Sequence, residues 1–276
     1  MTSAGMSKAA DTIAAFPTPI RKDGRSGRFY EVDGLSLPSV THILQVIGKP
    51  ALINWAANQE RAACLEAAAD LYADLAKTPP MSRATFIATL EGRIGKQKAH
   101  KRTLDKAGEI GSQVHCLIEW NLRQQLGQKV GAEPKVVDDA QWAFMSFQDW
   151  ASSVSLEPIY IEQTVFSKKH GYAGTMDLLA RVNGAVTLVD FKTGKAIYGE
   201  ALLQNTAYQM ALAEMGHCVA EQGLIVRLPK VQTDPAFEVS APIIAVDLFP
   251  TFLNLIQVWK WWHAEEEAYR AKKGAA

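Results

Sequence analysis

From Pro158 onward three runs, PIYIEQTVFS, YAGTMDLLARV and AVTLVDFK, read as strands separated by turn residues, and no other block limits the possible folds as tightly. Asn183-Gly184, between the second and third runs, is a two-residue hairpin signal, because a type I′ turn needs positive φ at both central positions. The three runs therefore read as an antiparallel meander. Beyond it, ALLQNTAYQMALAEMG reads as a helix closed by Gly216, and GLIVRL and FEVSAPIIAV read as two strands. A Trp-rich helix follows from about Phe249 to Lys272, which makes the order βββαββα.

The half that precedes this block is helical in pattern. Its first 25 residues are small, polar and punctuated by Pro and Gly, and a loose tail is expected there. In GRFYEVDGLSLPS, Asp33-Gly34 predicts a small hairpin. Ser39 then caps a short helix through Ile47, and Gly48 and Pro50 mark the passage into a longer one, about Ala51 to Ala76, which ends before Pro79-Pro80. Residues 82–127 read as helix again, in one piece or two, and about Val136 to Ser153 as a further helix. No repeat or low-complexity linker divides the chain. It reads as a flexible tail over 1–25 and a single domain over 26–276, mainly helical in 26–155 and βββαββα in 156–276.

Apolar residues at 48% and charged residues at 21% suit a soluble globular protein, and a formal net charge of zero means that any polyanion surface must be a local patch. Cys64, Cys116 and Cys218 are scattered and no CxxC occurs, which disfavours a structural zinc site, a disulfide framework and a four-cysteine iron–sulfur cluster. They read as core fillers in a reducing compartment. No secretory signal and no membrane-length apolar run is recognisable, so an intracellular protein without a membrane partner is expected.

Chemistry concentrates on the hairpin. Side chains alternate along a strand, so Asp190 and Lys192 share a face and Phe191 takes the other, while Asp177 lies on the partner strand among Met176, Leu178 and Leu179. Two carboxylates and an amine are costly on so apolar a hairpin unless they hold a cation or a charged substrate. The alternative is a salt-bridge cluster on an edge hairpin. Gln204 and Tyr208, four apart on the next helix, share a face that can lie beside the D-x-K strand, or Tyr208 can simply pack in the core. His115, in GEIGSQVHCLIEW, is either a satisfied core histidine or a metal ligand, and Glu162 is a further carboxylate that can face the site. From Arg83 to Lys106 the chain is basic, through Arg83, Arg93, Lys96, Lys98, Lys101, Arg102 and Lys106. That stretch reads as a solvated helix face or a phosphate-binding one. No P-loop, G-x-S-x-G or H-E-x-x-H occurs. In WKWWHAEEEAYR, Trp259 and Trp262 are expected to pack the helix onto the sheet rather than to stack bases.

The order His115, Glu162, G-T-M-D at 174–177, D-F-K at 190–192 and Q-x-x-x-Y at 204–208 resembles the PD-(D/E)XK nucleases, and within them the RecB/Cas4-type exonuclease branch. The segment LPSVTHILQVIGKPALINWA at 37–56 is similar to the mitochondrial genome maintenance exonucleases and their bacterial and phage relatives. The resemblance implies an α/β restriction-endonuclease-like core, with a mixed central sheet flanked by helices and a helical N-terminal extension. It implies Mg²⁺ or Mn²⁺ held by His115, Asp177, Asp190 and the Phe191 carbonyl, and no iron–sulfur cluster. Lys192 would orient or activate water, and Gln204 and Tyr208 would support the site or hold the DNA backbone. Arg93, Lys96, Lys98, Lys101, Arg102 and Lys106 would line an arch for single-stranded DNA. The activity implied is a metal-dependent DNA exonuclease on single strands or frayed ends, with a structure-specific endonuclease or a non-catalytic DNA-binding module as alternatives. Any unwinding falls to a helicase or recombination partner, and the setting is the cytoplasm of a bacterium, by a bacterial or phage-encoded protein, in preference to a mitochondrion.

Overall fold

The computed structural model describes residues 19–24, 27–75, 80–231, 233–234 and 236–274. Asn183 and Gly184, at φ 51° and 90°, make the tight turn that the sequence predicts. They join β5 (Tyr172–Val182) to β6 (Ala185–Lys192), and β4 (Leu156–Ser167) flanks β5. A crossover through α6 (Gly199–Glu214) brings β7 (Gln222–Arg227) parallel to β6. With β8 (Glu238–Val239) the order is β4-β5-β6-β7-β8, a mixed five-stranded sheet with helices on both faces.

The N-terminal half supplies a second, three-stranded sheet: β1 (Ile20–Gly24), β2 (Gly27–Val32) and β3 (Leu35–Pro38). Asp33-Gly34 turns β2 into β3 as expected. The expected tail over 1–25 is corrected at residues 20–24, which pair with β2 although they are polar. Cross-strand charges hold them: Lys22 meets Glu31, and Asp23 accepts from Arg28 across the pair as well as from Arg21 on its own strand. Residues 1–18 and 25, the rest of that tail, lie outside the described residues, as does Pro79.

Ser39 caps α1 (Val40–Ile43), its hydroxyl accepting from the His42 amide at 3.0 Å. A short 3₁₀ turn follows, then α2 (Pro50–Leu75), α3 (Arg83–Ile94), α4 (Ala99–Gln125) and α5 (Asp138–Ser152). Only Ala67 and Leu71 are buried in α2, and no residue is buried in α3, so these two form an arm in which α3 packs on α2 and α2 on α4. The chain closes with α7 (Ala245–Gly274).

Two cores sandwich the larger sheet. On one face Leu178, Ala180, Val182, Val189 and Phe191 pack against Val114, Leu117 and Ile118 of α4 and Phe144, Phe147 and Trp150 of α5. On the other, Tyr172, Met176, Leu179 and Leu188 pack against α6 and the Phe249–Trp259 part of α7. Met176 and Leu178 have the same parity yet face opposite cores, and so do Val165 and Ile161 in β4. Both strands therefore trade faces at one level, between 161 and 165 in β4 and between 176 and 178 in β5, a paired irregularity of the kind that re-aims side chains.

Other expectations are corrected. FEVSAPIIAV yields only the two-residue β8 and an isolated bridge from Ile243 to Gly223, since Pro242 offers no N–H to a ladder. Trp259 is buried, but Trp262 is half exposed and its indole donates to Glu266, so only the first packs the helix down. Cys64 and Cys116 are exposed rather than core fillers, because each lies off its helix's packed face. Among the described residues no helix is long and apolar enough to cross a membrane.

Candidate metal centre

Asp177 sits where the strands trade faces. The β5–β6 pairing ends at Leu178↔Val189, and there the Asp177 carboxylate replaces a strand partner: Phe191 N–H donates to its Oδ2 at 2.7 Å. Across the β4–β5 pair, Glu162 stands opposite Asp177 between the paired positions Ile161↔Leu178 and Gln163↔Met176. Glu162 has φ 48°, a left-handed conformation that costs a non-glycine residue about 1–2 kcal/mol. Unlike Asp33 and Asn183, it lies in no tight turn.

His115 projects from α4 between these two carboxylates. Its Nδ1 is 3.5 Å from Asp177 Oδ1 and 3.6 Å from Glu162 Oε1. One ligand atom from each of the three lies within 4.8 Å of the others, and all three residues are half-buried. Burial pushes the His115 pKa down, but the Asp177 charge and hydrogen bonds to both carboxylates outweigh it and hold the imidazole well above its ordinary value. Burial likewise raises Glu162. It acts on Asp177 in the same sense, yet the His115 and Lys192 charges and the Phe191 amide bring that group below the usual range. A protonated imidazole thus stands where a cation would.

Asp190 and Lys192 face α6, as strand alternation predicts. Asp190 is 1% exposed, with Lys192 Nζ 2.7 Å from Oδ2. The Lys192 ammonium faces Oδ2, and among the described residues no donor reaches Oδ1. Burial, countered by Lys192 and reinforced by Asp177, raises its pKa from 3.8 to about 6. A buried carboxylate with open lone pairs beside a second one is what a hard cation fits. Burial lowers Lys192, but Asp190 and Asp177 raise it further, so the amine stays charged.

Lys192 also donates to Gln204 Oε1 at 3.2 Å, and Gln204 Nε2 donates to the Tyr208 hydroxyl at 3.0 Å. Tyr208 is 3% exposed and packs over Gly174, so it orients Gln204 and does not reach a DNA backbone. Asn205, which the sequence pattern does not single out, seats α6: its buried amide donates to the Leu188 and Leu224 carbonyls of β6 and β7. Phe191 places its ring in the α5 core, edge-on to Phe147 and Trp150, while its N–H serves Asp177.

The basic stretch divides. Arg93 pairs with Asp74, and Arg102 donates to the Ile94 and Gln97 carbonyls at the end of α3, so both are occupied within the arm. Lys96, Lys98, Lys101 and Lys106 are exposed.

No protein-family model matches the chain, and no curated protein matches it. Among solved structures, the crystal structure of SSO0001 aligns with 55% of this chain and 74% of the other at 14% identity and a TM-score of 0.26, too slight a likeness to bear on fold or activity.

Proposed function

We propose that this chain is a divalent-cation-dependent deoxyribonuclease of the PD-(D/E)XK type, acting from the ends of single-stranded DNA. The observation that carries the reading is the convergence of His115, Glu162, Asp177, Asp190, Lys192 and Gln204 from five elements onto one place. Imidazole and carboxylate oxygens suit Mn²⁺ or Mg²⁺, and neither an iron–sulfur cluster nor a zinc–thiolate site is served by this donor set. Asp177 and Asp190, with His115 and Glu162, would hold the ion. A bound cation supplies charge stabilisation for a phosphoryl oxygen and a water more acidic than bulk water.

The chain's own groups then divide the work. Lys192, beside Asp190, would orient or activate the attacking water and meet negative charge developing on phosphate. Gln204 accepts from the same ammonium and helps to fix it. The exposed lysines of the α3–α4 segment offer phosphate contacts for a single strand.

End-labelled single-stranded DNA with Mn²⁺ tests the proposal. Steady loss of label by the wild type, no loss with EDTA, none with Asp190→Asn or Lys192→Ala, and survival of circular single strands are expected. Wild-type rates in either variant sink the site assignment, and cleavage of circles makes the enzyme an endonuclease.

A further inference from the structure

The left-handed residue at the cation site has an unassigned holder. Rotation of the planar peptide unit joining Ile161 to Glu162 sets the φ of Glu162, so whatever grips the Ile161 carbonyl oxygen aims the Glu162 side chain. That oxygen accepts from Arg123 Nη2 at 3.2 Å. β4 is an edge strand, so the contact comes from a helix instead of a further strand. Arg123 lies two helical turns beyond His115 on α4, and the same helix therefore carries one side of the site and the grip on the other.

All three kinds of guanidinium nitrogen are used. Nε donates to Glu119 Oε1 at 2.8 Å, Nη1 to Gln128 Oε1 at 3.1 Å, and Nη2 to Ile161. Glu119 and Gln128 thus fix the fork that fixes the strand. A planar fork can hold these separate oxygens at once, which an ammonium on a flexible stem cannot. Without the grip, Glu162 is free to relax toward ordinary strand geometry, where alternation turns its carboxylate away from His115.

We propose that Arg123 is a positioning residue: by holding the Ile161–Glu162 peptide it keeps Glu162 in its left-handed conformation and so completes the cation site with His115 and Asp177. The proposal rests on the metal-dependent reading above. It adds a residue that touches neither ion nor substrate, and groups of that kind set metal affinity by about 10- to 100-fold.

Calorimetric titration of the full chain with Mn²⁺ tests it without any nuclease assay. Arg123→Gln is expected to weaken binding about 10-fold. Glu162→Gln should weaken it as well, and in that background Arg123→Gln should add nothing, since it acts only through Glu162. A helix-to-strand brace with no role at the site predicts unchanged Mn²⁺ affinity, or losses that add in the double variant, and either result overturns the proposal. If Arg123→Gln does not fold, Arg123→Lys serves: it keeps the charge beside Glu119 but not the fork, and should still lose most of the affinity. Wild-type protein that binds no Mn²⁺ removes the nuclease reading together with this one. Wild-type binding with unaffected variants removes Arg123 alone.

Discussion

Replacing Asp190 with Asn measures what it costs to keep a carboxylate inside the sheet. Its pKa, raised from 3.8 to about 6 chiefly by burial, is the net of that burial, the attraction of Lys192 and the repulsion of Asp177. At about 1.4 kcal/mol per pH unit, ionised Asp190 costs the ion-free protein about 3 kcal/mol of stability at neutral pH and above. The sign follows from proton counts. Between pH 3.8 and about 6 the unfolded chain has released this proton and the folded protein still holds it. The unfolded state binds fewer protons there, so stability falls as pH rises through the window. Asp190→Asn keeps the shape and carries no charge, and lacks that fall. Urea unfolding in EDTA should therefore find the variant equal to wild type near about pH 4 and more stable by about 3 kcal/mol near about pH 8. Mn²⁺ should then stabilise the wild type far more than the variant. A difference that fails to grow over this range, or a variant less stable than wild type at the alkaline end, refutes burial as the origin of the cost.

Three further outcomes are expected. Gly174→Ala places a Cβ 2.4 Å from the Tyr208 ring and 2.8 Å from its hydroxyl, so urea unfolding should show a loss of about 1–3 kcal/mol, and turnover should fall as Gln204 loses its support. Mn²⁺ must displace the proton that Asp177 and Glu162 hold on His115, so affinity should rise with pH, and calorimetry in buffers of different ionisation enthalpy should register about one proton released; heats independent of buffer would contradict this. Changing Lys96, Lys98, Lys101 and Lys106 together to Gln should weaken single-strand binding and flatten its salt dependence by about 0.7 for each phosphate no longer neutralised, whereas Arg93→Gln and Arg102→Gln should lower the melting temperature and leave that slope alone.

Where local chemistry governs, the sequence was readable. Asn183-Gly184 and Asp33-Gly34 dictate their turns, and alternation places Lys192 with Asp190 and Phe191 opposite. The helix that follows the D-x-K strand brings Gln204 to Lys192 because its face is set by a four-residue spacing. The remainder depends on tertiary contacts that leave no local mark. Nothing in YIEQTV announces that Glu162 adopts a positive φ, since the cause lies in Arg123, a helix away. The exchange of faces at Asp177 defeats a strict period-two reading of β5, which misassigns Met176. Asn205 looks like any helix polar residue until Gly223 leaves room for it: a Cβ there would lie 1.8 Å from Asn205 Oδ1. Trp262 failed for the opposite reason, because α7 outruns the surface it packs on and its spacing then counts for nothing.

The level at which β4 and β5 exchange faces is also a seam between two halves of the interior. His115 belongs to the α4–α5 side, Asp190 and Lys192 to the α6–α7 side, and Asp177 spans the two. Three carboxylates meet at this seam, and the repulsion of Asp177 on Glu162 and on Asp190 opposes the packing that closes it. An ion gripped from both sides would act as a rivet. The ease with which one layer slides over the other would then follow the supply of divalent ions, and slow amide exchange around Phe191 would serve as its gauge.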